Sequence, residues 1–373
     1  MRSRTAVIAS LLLGSVLLAL AVWLPVVTAQ DQGVSLRIQA FAPPTFTFFD
    51  NLTFLARRVE QMSGGRVKIE PLPSAAVVPF TQELDGASRG VIDGALTTPG
   101  IYLGKHPAAV PLSHGPLFGM DHIDFFGWLY EGGGLELLNE WYTDVLKANV
   151  VAIPALPVGP QAQGWVRAPV KNWEEFKRYK LRFFGLGREV LSRAGMTVVS
   201  VPGGAVRSAA ERGAIDGAEF IGGADDLRLG FHALWKFHLT PGMHEQVHVG
   251  NLLINRDVWN KLPADLQAII RAAATEAFWR WWVRWQRQNA DAYKEMVEEH
   301  GVKVMRTPDD IHLTFLKYWD EIWQEHAARD PFYRKVIDSQ REYAKKVVPY
   351  RRSTWPRYEF LADYYWKDEI YAE

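Results

Sequence analysis

The chain has 373 residues, enough for two domains of ordinary size, and 48% of them are hydrophobic, which excludes global disorder and permits a sizeable core. Its 42 basic and 42 acidic residues balance, which argues against a nucleic-acid binder with a large basic face. The absence of cysteine excludes disulfides, thiolate metal sites, cysteine nucleophiles and a lipid-anchor cysteine.

Arg2 and Arg4 open a segment that is apolar from Ala6 to Val27 apart from Ser10, Gly14, Ser15 and Pro25. Small residues follow at Thr28-Ala29, which predicts a signal peptide over residues 1–29 with cleavage before Gln30. An uncleaved N-terminal anchor helix is the alternative, because the run is long enough to span a bilayer. Both place the rest of the chain outside the cytoplasmic membrane.

Ser35 to Phe41 alternates as a strand does, and Phe48 to Met62 reads as an amphipathic helix ended by Ser63-Gly64-Gly65. A strand over Arg66 to Pro71, a helix over Gln82 to Arg89 stopped by Gly90, and a strand over Val91 to Leu96 complete a β-α-β-α-β order. That order predicts a parallel sheet with crossover helices. Glu131 to Gly134 reads as a loop before a helix over Leu135 to Leu146.

The pattern then repeats. Val150 to Leu156 is a strand followed by the turn Pro157-Val158-Gly159-Pro160, and Gly164 to Arg167 is extended. Asn172 is an N-cap candidate for the helix that follows it. Strands over Lys180 to Phe183, Thr197 to Val201 and Ile215 to Phe220 alternate with helices over Gly187 to Ala194 and Ala205 to Arg212. The phrase Arg-Gly-x-Ile-Asp-Gly-Ala occurs at Arg89 and again at Arg212, each time where a helix meets a strand. Both copies read as helix-to-strand corners with glycine as the left-handed C-cap. The first runs into Leu96-Thr97-Thr98 and the second into Glu219-Phe220. Two α/β units imply a cleft, and ligands favour the carboxyl ends of the strands.

From Pro263 the chain reads as mostly helical. Leu266, Ile270, Ala273, Ala277, Trp281 and Trp285 recur at helical spacing, and the aromatic cluster Phe278 to Trp285 suits a helix wedged between two lobes. Helices over Ile311 to His326 and Pro331 to Val348 lead into a tail carrying Trp355, Tyr358, Phe360, Tyr364, Tyr365 and Trp366, which reads as a partner surface.

His244-Glu245-Gln246-Val247-His248 matches the zinc-protease pattern, which needs both histidines on one helix face. Pro241-Gly242 and the strand-like Val247 to Asn255 argue against a helix. In a strand, residues i and i+4 lie about 13 Å apart, too far for one zinc. No other acid, base and nucleophile assemble, so an enzyme is not expected, with a zinc hydrolase using His244, Glu245 and His248 as the rival. Arg182, in an apolar strand, demands a carboxylate, either an internal salt bridge or a bound acid. Glu219 can neutralise it or help bind a cation, and Gln161 offers an amide oxygen suited to a hard cation.

The stretch YKLRFFGLGREVLSRAGMTVVSVPGGAVRSAAERGAIDGAEFIGGADDLRLGFH, Tyr179 to His232, resembles the solute-binding (DctP-type) subunits of TRAP (tripartite ATP-independent periplasmic) transporters. So do NRDVWNKLPADLQAII, SGGRVKIEPLPSAAVVP and ASRGVIDGALTTPGIYLGKHP, and the likeness covers nearly all of the chain after the leader. FFGLGREV, GADDLRLGFH and the helical tail look most like the branch that binds 2-oxo acids or lactate.

The resemblance implies an α/β, two-lobed periplasmic-binding-protein type II-like fold with a central cleft, a long connecting helix and a C-terminal helical extension. Lobe I would comprise residues 31–153 and 246–290, lobe II residues 154–245 and 291–328, and a dimerisation extension residues 329–373. It implies a periplasmic protein that binds a small monocarboxylate and delivers it, without ATP, to membrane permease subunits. Arg182 would hold the carboxylate, with Thr97, Thr98, Gln161 and Phe220 also at the substrate. Gln161, Glu219, Phe220 by its carbonyl, and Glu245 from the turn Met243-His244-Glu245 would hold a bridging Na⁺ or Ca²⁺. A homodimer through the C-terminal helices would follow, and no nucleic-acid partner. The chain departs from relatives at Pro157 to Pro160, where an Asn-rich turn is common, and at Pro99-Gly100, where a Tyr pair is common. Both changes remove polar contacts and leave another organic or sugar acid as the alternative solute.

Overall fold

The computed structural model describes residues 33–367, and among them no helix is long and apolar enough to cross a membrane. The expected leader, residues 1–29, lies outside the described residues. Strands β1 (Val34–Ala40), β2 (Val67–Leu72), β3 (Gly94–Thr97), β4 (His114–Gly115) and β5 (Val150–Val158) belong to one sheet. Strands β6 (Gly164–Val166), β7 (Leu181–Arg182), β8 (Val198–Val199), β9 (Gly217–Ala218) and β10 (Phe237–Thr240) belong to a second. The chain then returns to the first with β11 (Val247–Asn255) and to the second with β12 (Lys303–Arg306). The orders are β2-β1-β3-β11-β4, with β5 also on β11, and β12-β10-β6-β9-β7-β8.

The expected parallel pairing holds for β1 with β3 and for β7 with β8 and β9. It fails at the crossovers, where β5 pairs antiparallel with β11 and β6 with β10. The reason is geometric. Two short connections, 159–163 and 241–246, pass between the sheets side by side, so a strand that leaves a sheet there and one that enters beside it run in opposite directions. Both sheets are therefore mixed.

The repeated Arg-Gly-x-Ile-Asp-Gly-Ala corner has a physical role in each copy. Gly90 and Gly213 take left-handed φ values of 72° and 69° after their helices. Asp93 then accepts the Arg37 backbone N–H at 2.8 Å, and Asp216 accepts the Lys180 N–H at 2.9 Å. Each aspartate thus clasps the neighbouring strand. The following glycine admits the strand on the other side: a Cβ on Gly94 would sit 2.2 Å from the Leu253 carbonyl oxygen, and on Gly217 2.0 Å from that of Trp165. In the second copy only Gly217–Ala218 of the expected strand pairs.

The helix Ala264–Glu298, 35 residues long, buries Phe278, Trp281 and Trp285 and leaves Trp279 and Val283 exposed. Glu276 pairs with Arg58 of the helix Thr47–Met62, and Trp281 Nε1 donates to the Pro157 carbonyl at 3.1 Å. Farther along, Asn289 accepts the Ala224 N–H at 3.0 Å beside the second sheet. This helix therefore ties both lobes together. The C-terminal helix Pro331–Thr354 runs on past its expected end and through Pro349. Tyr333, Val336 and Ile337 join the first core with Trp128 and Trp141, and Arg351 bonds Asp124 at 2.7 Å. Within this C-terminal segment the described large aromatic side chains become exposed from Tyr350 onward, through the helix Tyr358–Trp366.

Candidate functional site

The two crossovers place Gln161 and Glu245 together. Gln161 N–H donates to the Glu245 carbonyl at 3.1 Å, and Gly242 N–H to the Gln161 carbonyl at 2.9 Å. Gln161 Nε2 donates to Glu245 Oε2 at 2.6 Å, His248 Nδ1 donates to the same oxygen at 2.8 Å, and His248 Nε2 shares a 2.5 Å hydrogen bond with Thr98 Oγ1. Gln161 Oε1 is buried without a hydrogen-bond partner among the described residues. Burial alone would raise the Glu245 carboxyl, but His248, by charge and hydrogen bond, with His114 and His244 behind it, holds it below the usual carboxylate range.

A second group lies where β7 and β9 end. Arg182 is 6% exposed. Its Nε donates to the Val201 carbonyl at 3.0 Å, and its Nη1 to the Glu219 carbonyl at 2.9 Å and to Glu219 Oε1 at 2.6 Å. Phe184 N–H also donates to that Oε1, at 2.8 Å. The internal salt bridge is thus present, yet Arg182 Nη2 and Glu219 Oε2 make no hydrogen bond with a described residue. The Phe220 ring lies 5.5 Å from the guanidinium carbon and meets Phe46 edge-on at 5.5 Å.

His244 stands between the two groups. Its ring meets Phe183 edge-on at 5.2 Å, and neither nitrogen has a partner among the described residues. Burial pushes its pKa down, opposed by the charges of Glu219 and Glu245. Of the two threonines, Thr98 joins the Gln161 group. Thr97 turns the other way, its hydroxyl 2.9 Å from the Tyr102 hydroxyl and within reach of Glu83, inside the first lobe. Its place among substrate contacts has no geometric support. The zinc-protease reading loses its scaffold as well, because His244 and Glu245 lie in a turn and His248 in β11.

Several residues escaped sequence reasoning. Thr47, at the N-terminus of its helix, donates its backbone N–H and its hydroxyl to Asp225 at 2.9 and 2.6 Å, with both residues fully buried. This joins the first lobe to the second. Asp225 stands in GADDLRLGFH, but nothing local names its partner. His114, the first residue of β11's partner strand β4, and Ser113 just before it also carried no signal. We expect Thr47→Val, which leaves Asp225 Oδ2 unsatisfied, to cost the closed arrangement about 1–3 kcal/mol. Solution scattering should then report a more open molecule, and ligand affinity should fall with the closed population. An unchanged radius of gyration and affinity would count against this.

Comparison with known proteins gives consistent matches. The family described as bacterial extracellular solute-binding protein, family 7 (DctP), matches residues 38–330. A monocarboxylate 2-oxoacid-binding periplasmic protein of Nostoc sp. is 32% identical over 320 residues, covering 86% of each chain. A TRAP transporter solute-binding protein from Bordetella bronchiseptica, crystallised as a mixed-occupancy dimer with calcium and picolinate, superposes with a TM-score of 0.83 at 27% identity, covering 90% of this chain and 98% of that one. One from Pseudoalteromonas atlantica, with bound sodium and pyruvate, gives 0.80 at 26% identity, covering 88% and 98%.

Proposed function

The chain belongs to family 7 of the bacterial extracellular solute-binding proteins, as a TRAP-type binding subunit and not an enzyme, and from that premise we propose that its solute is a small monocarboxylate, a 2-oxo or 2-hydroxy acid such as pyruvate or lactate. The observation that carries this reading is the buried Arg182, whose Nη2 hydrogens have no acceptor among the described residues while Nη1 and Nε are held rigid. A carboxylate is the acceptor that a guanidinium fork suits best.

The surroundings fit a hard cation as well. Gln161 Oε1 is an orphaned buried acceptor, and Glu219 and Glu245 supply further oxygen, the donor chemistry of Na⁺ or Ca²⁺. In this reading Gln161, Glu219, Glu245 and the Phe220 carbonyl hold the ion, which supplies positive charge to the solute oxygens that Arg182 does not reach. Thr98 and Phe220 line the solute. The pyruvate, picolinate, sodium and calcium of the two neighbours support this assignment.

The protein works in the periplasm, its lobes close on the acid, and the closed form delivers it to membrane permease subunits. Protomers pair through the C-terminal helices, where Tyr358, Tyr364, Tyr365 and Trp366 are more than half exposed. Removing residues 355–373 should therefore yield monomers by light scattering without loss of solute binding. A dimer that survives the deletion would move the interface elsewhere.

The solute test is a thermal-melt screen of residues 31–373 against 2-oxo acids, 2-hydroxy acids, dicarboxylates and sugar acids, with and without Na⁺ or Ca²⁺. A ligand at 100 times its Kd adds about 2.7 kcal/mol, a shift of a few degrees. A monocarboxylate shift that needs the cation supports the proposal. A shift with sugar acids alone replaces the solute class.

A further inference from the structure

The i,i+4 histidines of the sequence cannot share an ion, but the fold gives His248 a different partner. In the antiparallel pairing of β4 with β11, His248 stands directly opposite His114. Directly opposed residues have Cβ atoms about 4.5–5.5 Å apart, a spacing at which two imidazoles can meet one ion. The two rings lie 5.2 Å apart here. Glu245 completes the group: His114, Glu245 and His248 each offer a ligand atom within 4.8 Å of the others.

His114 is built as a ligand. Ser113 Oγ donates its only proton to the Ala109 carbonyl at 2.7 Å, so the 2.7 Å contact between Ser113 Oγ and His114 Nδ1 must be donated by Nδ1–H. That leaves Nε2 with a bare lone pair. The ring is 2% exposed, and Nε2 has no hydrogen-bond partner among the described residues. An outer partner that pins one ring nitrogen and aims the lone pair of the other is the usual second shell of a metal-bound histidine. The backbone also makes room for this ring, because a Cβ on Gly100 would lie 2.8 Å from His114 Cε1.

We propose that His114, Glu245 and His248 form a metal position with nitrogen ligands in this cleft, taking a borderline divalent ion of the Zn²⁺ class. Two imidazoles and one carboxylate suit such an ion better than Na⁺ or Ca²⁺, which prefer oxygen alone. In the metal-loaded form the ion takes over the contact now made by the His248–Glu245 hydrogen bond. The inference does not depend on which acid the cleft binds, although Glu245 is common to both sites.

The test uses chelator-stripped residues 31–373, titrated with Co²⁺ as a spectroscopic probe and with Zn²⁺ in competition, with bound metal counted by elemental analysis. We expect one ion per chain, visible d–d bands, and retention in excess Ca²⁺ or Na⁺. Ser113→Ala should weaken binding roughly 10- to 100-fold, as loss of an outer partner does, and His114→Ala should weaken it more. Far-ultraviolet circular dichroism establishes that each variant is folded, and His114→Gln replaces His114→Ala if the latter is not. Substoichiometric binding, displacement by equimolar Ca²⁺, or unchanged affinity in the folded His114 variant overturns the proposal. The carboxylate melt screen on the same His114 variant separates the two sites: a retained carboxylate shift with lost Co²⁺ bands supports a distinct metal position. Retained Co²⁺ bands with a lost carboxylate shift assign His114 to the solute instead, and also overturn it.

Discussion

Arg182→Met is expected to weaken carboxylate binding by about 30-fold or more. Truncating one partner of a buried, hydrogen-bonded charge pair costs roughly 2–5 kcal/mol, which is about 30-fold to several thousand-fold in Kd. The same change removes the cation beside Glu219, whose Oε1 would keep only the Phe184 N–H. A buried charge left alone costs about 3–5 kcal/mol of stability, so a lowered Tm is part of the expected result. Arg182→Lys resolves the ambiguity. It keeps a positive charge for Glu219 and so most of the stability, but its point charge cannot reproduce the fork, and affinity should still fall. Titration calorimetry on both variants decides the matter. A folded Arg182→Lys or Arg182→Met that binds the acid as the native protein does would make Arg182 purely structural and remove the proposed site.

Asp226→Asn is expected to stabilise the protein at pH 8 and to flatten its pH profile. Asp226 is buried, accepts the Trp165 Nε1–H at 2.7 Å through Oδ2, and has no partner for Oδ1 among the described residues. Burial pushes its pKa up to about 8, and the charges of Asp225 and Glu219 add to this. Burial likewise pushes Glu83 up to about 8, in spite of the Gln39 hydrogen bond at 3.0 Å. An acid whose folded pKa is raised binds its proton in the native state while the unfolded chain has already lost it. Stability therefore falls as pH rises from about 4 to about 8, by about 1.4 kcal/mol per unit for each such group. Histidines work in the opposite sense. Burial holds His114 near pKa 4 and His238 near 3, against an ordinary 6.5, so their contribution grows as pH rises and is complete above 6.5. The two trends offset each other below pH 6.5, and the loss should emerge between pH 6.5 and 8. Asn at position 226 keeps an acceptor for Trp165 and never ionises. Chemical unfolding of the native protein, Asp226→Asn and Glu83→Gln across that range measures the slopes, and identical slopes would sink the assignment.

Much of the architecture was legible in local pattern. Alternation marked β1, where Leu36, Ile38 and Ala40 face the core, and Asn172 caps its helix by accepting the Glu175 N–H at 2.9 Å. These features depend on residues within a turn or two of one another, where backbone geometry fixes the neighbours. The glycine caps of the two repeats were legible for the same reason. The aspartates inside those repeats were not, because Arg37 and Lys180 become their partners only after the strands assemble.

The site divides along the same line. Residue type and place in the pattern singled out Arg182, a guanidinium in an apolar strand that must be neutralised or used, together with Glu219 at the end of the second repeat and Gln161 after a strand-end turn, while Glu245 came from the His-Glu-x-x-His match and the family resemblance. The antiparallel returns of β5 and β11, the turning of Thr97 toward Tyr102, the Thr47–Asp225 bond and the facing of His114 with His248 arise only in the folded chain. Each depends on register between segments distant in the chain. A slip of one residue in β11 would send His248 to the opposite face of the sheet, and no local propensity records which register the packed core selects.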